Sequence, residues 1–336
     1  MGIYRFFLAV LVAISHAGIK LFGFNPGVVA VISFFLLSGY VMTRLIRRYY
    51  LQPGRVGKFY MDRAARLFPQ YLFYFAAASL FLYLSGMTTI FTYQLDLARW
   101  LWNIPILPLG AYMWLLEGST VLPQAWSLGL EMCFYLVFPW LLLHCSRRQI
   151  YVLAGLSFLV FLAAFTGWIN TDFFGYRLLP GTLFMFLAGA AFAEDDRTAQ
   201  IFRGLVALAT VILLVIACSH EPYYRSPYNK EVLLGLLMGL VALGLLRQRP
   251  YSAIDEFFGN LSYGIFLNHF IIIWWLQKYR GVEAFGSFDA IMLVLAATAM
   301  ATATFYLVER PAIRWRHSIR QTTQAEQAAL TVQVKR

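Results

Sequence analysis

Of the 336 residues, 60% are apolar and 18% aromatic, whereas only 13% are charged. A soluble globular chain carries about 25% charged residues, which excludes an ordinary soluble domain, and a disordered chain would be poor in aromatics. The 27 Lys and Arg against 16 Asp and Glu leave a net charge of +11, which a membrane surface or an anionic partner has to explain.

A spanning helix needs roughly 20 mostly apolar residues. The chain offers about ten such stretches, at 4–22, 27–46, 67–85, 123–145, 150–168, 178–193, 204–219, 231–246, 257–277 and 289–308. The first follows a basic residue, as a signal peptide does. His16 interrupts it, however, and no small-residue cleavage site follows, so it reads as a retained span. Between the third and fourth, Arg99–Leu116 is apolar but holds two prolines and four aromatics. That composition favours an interfacial or re-entrant stretch over an eleventh span. The polar residues 321–336 read as a disordered tail behind one membrane domain, 1–320.

The fold class is therefore all-α, a polytopic membrane helical bundle. Ten spans place both termini on one side, and that side carries 20 of the 27 Lys and Arg. By the positive-inside rule it is the cytoplasmic side. The asymmetry accounts for the net charge without nucleic acid. No internal repeat of the kind seen in many transporters is visible. Cys133, Cys145 and Cys218 lie in apolar runs without metal-ligand spacing and read as small core residues, so no metal site is expected.

Ionisable groups inside spans are costly and are functional candidates by default. Arg5 and His16 share the first span, eleven residues and about 16 Å apart on nearly the same face. Arg5 suits a cytoplasmic anchor or an anion contact. His16 is either a neutral core histidine or a general base, since imidazole titrates nearest neutrality. Glu131 follows Trp126-Ser127-Leu128-Gly129-Leu130 and could orient a histidine or simply face water. His144 reads as interfacial, and His269 sits in the ninth span. Arg63 and Arg66 are three residues apart, so two guanidinium forks could meet one polyanion, with Lys58 nearby. The rival reading is contact with lipid headgroups, which is also the reading for Arg44, Arg47 and Arg48.

Together these elements resemble the acyltransferase-3 family of membrane O-acyltransferases. The likeness runs from Tyr4 to about Arg316. It rests on Arg5-Phe6-Phe7-Leu8-Ala9 leading to His16, Phe34-Phe35-Leu36-Leu37-Ser38-Gly39-Tyr40, and the Arg63/Arg66 pair before Leu67-Phe68-Pro69. Trp126-Ser127-Leu128-Gly129-Leu130-Glu131 with Phe134-Tyr135-Leu136 follows, then Leu261-Ser262-Tyr263-Gly264 through Asn268-His269, then Glu309-Arg310-Pro311. Phe6 stands where the family has a glycine, and Met132 where it has a second acid.

The resemblance implies transfer of an acyl group, usually acetyl, from acetyl-CoA at the cytoplasmic face to a hydroxyl of a cell-surface or lipid-linked glycan. The setting it implies is a bacterial cytoplasmic membrane. Arg63 and Arg66, with Arg5 and Lys58, would hold the donor's phosphates. His16 would be the base, or would carry the acyl group itself, and Glu131 would orient His16 or bind the acceptor. Trp126, Ser127 and His269 would lie at the acceptor site, His269 in a supporting place. The first competing reading is a proton-coupled transporter or flippase for a glycan or lipid precursor, in which the intramembrane His and Glu relay protons. The second is a non-catalytic scaffold.

Overall fold

The structure, a computed structural model, describes residues 1–250 and 252–315. The expected disorder of 321–336 falls outside these residues. In chain order the helices are α1 (Gly2–His16), α2 (Pro26–Leu45), α3 (Val56–Ser85), α4 (Leu97–Asn103), α5 (Tyr112–Leu115), α6 (Trp126–His144) and α7 (Arg147–Phe165). They continue with α8 (Leu179–Ala190), α9 (Arg197–Ser219), α10 (Glu221–Arg225), α11 (Asn229–Leu246), α12 (Ala253–Arg280) and α13 (Ser287–Thr304). No β-strand occurs among the described residues beyond one isolated bridge at Leu21 and Phe24. This is the all-α bundle of a multi-pass integral membrane protein.

Nine helical segments among the described residues are long and apolar enough to cross a bilayer, from Pro26–Tyr50 to Ser287–Trp315. The tenth expected span, α1, has only 15 residues. At 1.5 Å per residue it covers about 22 Å, less than the hydrocarbon thickness of about 30 Å. It stops at His16 because the chain then turns through Gly18 in the left-handed region, at φ 82°. The third span starts earlier than its hydropathy suggests: α3 runs on through the Arg63/Arg66 stretch for 30 residues. Residues 99–116 form α4, a 3₁₀ turn at Leu107–Ala111 and α5, none of spanning length. Asn103 fastens this segment. Its amide donates to the carbonyls of Arg99 (2.8 Å) and Ser119 (2.9 Å), and its Oδ1 accepts from the Val121 amide at 3.0 Å.

The helices are not equally deep. In the most apolar window of α2, 72% of residues are buried, against 17% in that of α9. Helix α2 is thus the central post, packed by α1, α8 and α11. Its contact with α8 is backbone-close, since a Cβ at Gly39 would run into the Phe186 carbonyl. Small residues permit such approach where lipid gives no hydrophobic drive between helices. Helix α9 instead shows Ile201, Leu205, Leu208, Ile212 and Val215 on its outside, as a lipid-facing helix should.

The basic connections meet at one end of the bundle. Arg47 and Arg147 both pair with Glu194, Arg147 also with Asp196, and Arg247 with Asp195 at 2.8 Å. Asp255, early in α12, receives the N-terminal ammonium at 2.7 Å and the amides of Gly2 and Ile3, capping α1 at that same end. His16, at the other end of α1, lies toward the opposite side.

Candidate active site

Two cavities follow α1. The larger, about 560 Å³, is lined by residues of α1, α2, α3, α6 and α12. Five of its lining side chains are arginines (Arg5, Arg44, Arg48, Arg63 and Arg66) and one is a carboxylate, Glu131. The smaller, about 220 Å³, contains His16 with Ser15, Asn25, Gln124, Trp126, Tyr176 and Arg177. Val31, Ser127 and Phe266 line both, so the cavities adjoin across these three side chains.

His16 is exposed, and His269 is completely buried. His16 Nδ1 and His269 Nε2 lie 3.0 Å apart, and His269 Nδ1 is 3.1 Å from the Ile265 carbonyl. The two rings are within 5° of parallel with centroids 5.0 Å apart. The nitrogens are therefore the nearest points, and the rings meet edge to edge. The carbonyl can only accept, which places the His269 proton on Nδ1 and makes His269 Nε2 an acceptor. His16 must then donate from Nδ1, which leaves Nε2 unprotonated in the neutral ring. A base needs that nitrogen free and its ring fixed, and this chain of bonds provides both.

Helix α12 fixes a second polar group beside His16. Gln124, 1% exposed, donates from Nε2 to the Leu267 carbonyl at 2.7 Å, and its Oε1 has no partner among the described residues. Arg177 is held on Asp172 at 3.0 Å and lies over the rings of Tyr176 (4.5 Å) and Trp126 (4.6 Å). The connection before α6 supplies Phe91, Tyr112 and Thr120 to the same cavity. One face of α6 reaches it because Gly129 lets the Gly110 backbone approach, where a Cβ would collide.

In the larger cavity, α3 presents Arg63 and Arg66 together. Arg63 pairs with its neighbour Asp62, and Arg66 with Glu309, both carboxylates being almost fully buried. Arg66 also lies over the Tyr263 ring at 5.2 Å. Arg5 keeps a buried Nε without a partner among the described residues. Glu131 Oε1 accepts from Ser38 at 2.5 Å and from Tyr135 at 2.6 Å.

The residues singled out in the sequence thus separate into two groups. Arg5, Arg63, Arg66 and Glu131 meet in the larger cavity, and His16 and Trp126 in the smaller, with Ser127 between them. Lys58 stands outside either lining. Five residues before Arg63, it is turned by about 140° around α3. Glu131 is not the group bonded to His16; that place belongs to His269, from the other end of the chain. Arg44 and Arg48, read in the sequence as headgroup anchors, line the larger cavity. Gln124, Arg177, Tyr112 and Tyr176 were not singled out at all. The only sequence signal for Gln124 and Arg177 was a polar residue beside an apolar run. Among the described residues no cluster of three His, Cys, Asp or Glu side chains is arranged to hold a metal ion.

Comparison with known proteins shows the family. A family model described as an acyltransferase domain matches residues 3–310. The chain belongs to that acyltransferase family. It is 26% identical to Acyltransferase MdmB of Streptomyces mycarofaciens, over 86% of this chain and 81% of that protein. Exopolysaccharide production protein ExoZ of Rhizobium meliloti is also 26% identical, over 87% of this chain and 91% of its own length. Nodulation protein 10 of Rhizobium leguminosarum bv. viciae is 25% identical over 88% and 83%. No solved structure matches the chain.

Proposed function

We propose that the protein transfers an acyl group, acetyl in the simplest case, from acyl-CoA to a hydroxyl of a cell-surface or lipid-linked glycan, in a bacterial cytoplasmic membrane. The observation that carries this reading is the fixed His16–His269 pair, opening on a small polar cavity that adjoins an arginine-lined one. The larger cavity suits a polyanionic donor. Its five arginines face a single lining carboxylate, and Arg5 Nε awaits an acceptor. The smaller cavity, below the roughly 300–1,000 Å³ of drug-sized sites, suits one sugar unit among aromatic and neutral polar groups. The name of the exopolysaccharide-production relative supports a glycan acceptor.

His16 Nε2 takes the proton of the acceptor hydroxyl as its oxygen bonds to the acyl carbon. The carbon–sulfur bond breaks, and the proton passes to the departing thiolate. Transfer through an acyl-His16 intermediate balances equally, with the proton then moving in the second step. His269 acts by holding the His16 ring. Glu131, bonded to Ser38 and Tyr135, lines the larger cavity one helical turn from the shared Ser127 and offers a carboxylate to the acceptor or the donor's amides. On this reading both termini face the cytoplasm, where the donor is made, because Arg44 and Arg48 of the arginine cavity flank Arg47, which pairs with Glu194 at the basic end of the bundle.

The test uses inverted membrane vesicles supplied with acetyl-labelled CoA. Thiol release and base-labile label in the glycan fraction are followed for wild type and His16→Ala at matched expression. Label that requires His16 is the expected result; equal label in both would retire His16 as the base.

A further inference from the structure

We infer that Arg44 and Arg48 form a second anion subsite, distinct from Arg63 and Arg66, that takes a terminal phosphomonoester such as the 3′-phosphate on the ribose of CoA. The inference rests on the donor reading above and deepens it.

Three observations carry it. The first is placement. Arg44 and Arg48 are one turn apart, and both line the larger cavity while remaining exposed. Between them the helix changes to a π turn, Ile46–Tyr50. Such turns shift the side-chain register and concentrate at functional sites. Arg47, between them, points away to Glu194, whereas Arg48 stays on the cavity.

The second is charge balance. Arg63 and Arg66 each already hold a carboxylate, so that pair has little net charge to offer. Arg44 and Arg48 pair with no carboxylate among the described residues. Arg44 donates to the Tyr40 hydroxyl at 2.8 Å, and Arg48 lies over the Tyr49 ring at 5.3 Å. A phosphomonoester carries about −1.5 to −2 near neutrality, whereas each phosphate of a diphosphate bridge carries about −1. The uncompensated pair matches the more highly charged group, and the compensated pair the bridge.

The third is direction. The thioester must reach His16 at one end of α1, so the nucleotide end lies toward the other. There the arginines sit, with Tyr40 and Tyr49 as flat apolar surfaces in the same lining.

The same chemistry would also suit an anionic lipid headgroup, and the test separates the sources. Full-length protein is placed in phosphatidylcholine nanodiscs and titrated with CoA and with 3′-dephospho-CoA. Wild type should bind CoA about ten-fold more tightly, as charge-assisted hydrogen bonds allow. Arg44→Gln/Arg48→Gln should remove that preference while leaving dephospho-CoA affinity within two-fold. Arg44→Lys/Arg48→Lys, which keeps the charge and loses the forks, should retain part of it and guards against a folding defect in the first variant. Equal weakening toward both ligands, or a wild type that binds CoA without preference, overturns the subsite. So does an unchanged preference in the glutamine variant; reduced co-purification of phosphatidylglycerol with that variant from the source membrane would then assign the arginines to lipid. Failure of wild type to bind either nucleotide removes the donor reading as well, and is thereby distinguishable from failure of the subsite alone.

Discussion

The two cavities lie side by side and are built from opposite chemistry. One concentrates guanidinium groups, two of them neutralised by buried carboxylates. The other has a single arginine, itself tied to Asp172, and otherwise presents rings, amides, hydroxyls and one unprotonated imidazole nitrogen. The difference shows how one bundle can treat two substrates differently without two domains. On the proposed reading, charge selects and holds at one cavity, and neutral hydrogen bonding with a positioned base acts at the other. Helix α1 spans both, with Arg5 in the first and His16 in the second.

That contrast is most sharply broken by His16→Ala. Acyl transfer should fall about 10²–10⁴-fold, the usual share of a general base, with CoA affinity unchanged by titration. A loss of CoA binding would merge the two cavities into one functional unit.

His269→Leu comes next. Loss of the ring's anchor should lower kcat by about 10²-fold, as small misplacements do, with donor KM unaltered. His269→Gln, whose carbonyl can still accept from His16 Nδ1, should recover much of that loss and keep the pH profile of the wild type. Equal defects in both variants would make His269 a packing residue.

On the arginine side, Arg63→Gln/Arg66→Gln should raise donor KM at least ten-fold with kcat at saturation little changed, the pattern of lost uniform binding. The same change removes the Arg66 partner of Glu309, and an unpaired buried charge costs about 3–5 kcal/mol. Yield should therefore drop as well. Adding Glu309→Gln should restore yield without restoring donor affinity, which separates stability from binding.

The smallest effect concerns the central post alone. Gly39→Ala forces α2 from α8 and should cost about 1–3 kcal/mol by overpacking, read as a lower melting temperature. The ratio of CoA affinity to transfer rate should not move.

Much of this architecture was legible in the sequence, for identifiable reasons. Hydrophobic runs located every long span, because a bilayer demands about 20 apolar residues whatever they touch. Their ends were less visible: α3 begins at Val56 because Arg63 and Asp62 neutralise each other inside it, which lets a helix extend through a charged stretch that hydropathy reads as loop. His16 and His269 both stood out as ionisable groups in spans. Their pairing did not, since 253 residues separate them. Only the packing of α1 on α12 joins them. Lys58 and Arg48 show the same limit from the other side, because neither spacing nor charge reveals which face of a helix meets a cavity and which meets water. Gln124 depends on a backbone carbonyl of α12, a contact that leaves no trace in composition.

Helix α1 also bears on the membrane itself. Its 15 residues make it shorter than α2, α3, α6 and α12, which line the larger cavity with it, and a bilayer of ordinary thickness extends past its ends. Thinning of the surrounding lipid or tilt of the neighbouring helices must absorb the difference, each at a modest energetic cost per ångström. The protein should therefore respond to acyl-chain length. In short-chain bilayers the His16 end of α1 would sit at the water interface without deformation, and in thick, long-chain ones it would be drawn below it. On the proposed reading, membrane thickness then becomes a physical control on how easily an acceptor from the aqueous side reaches the imidazole.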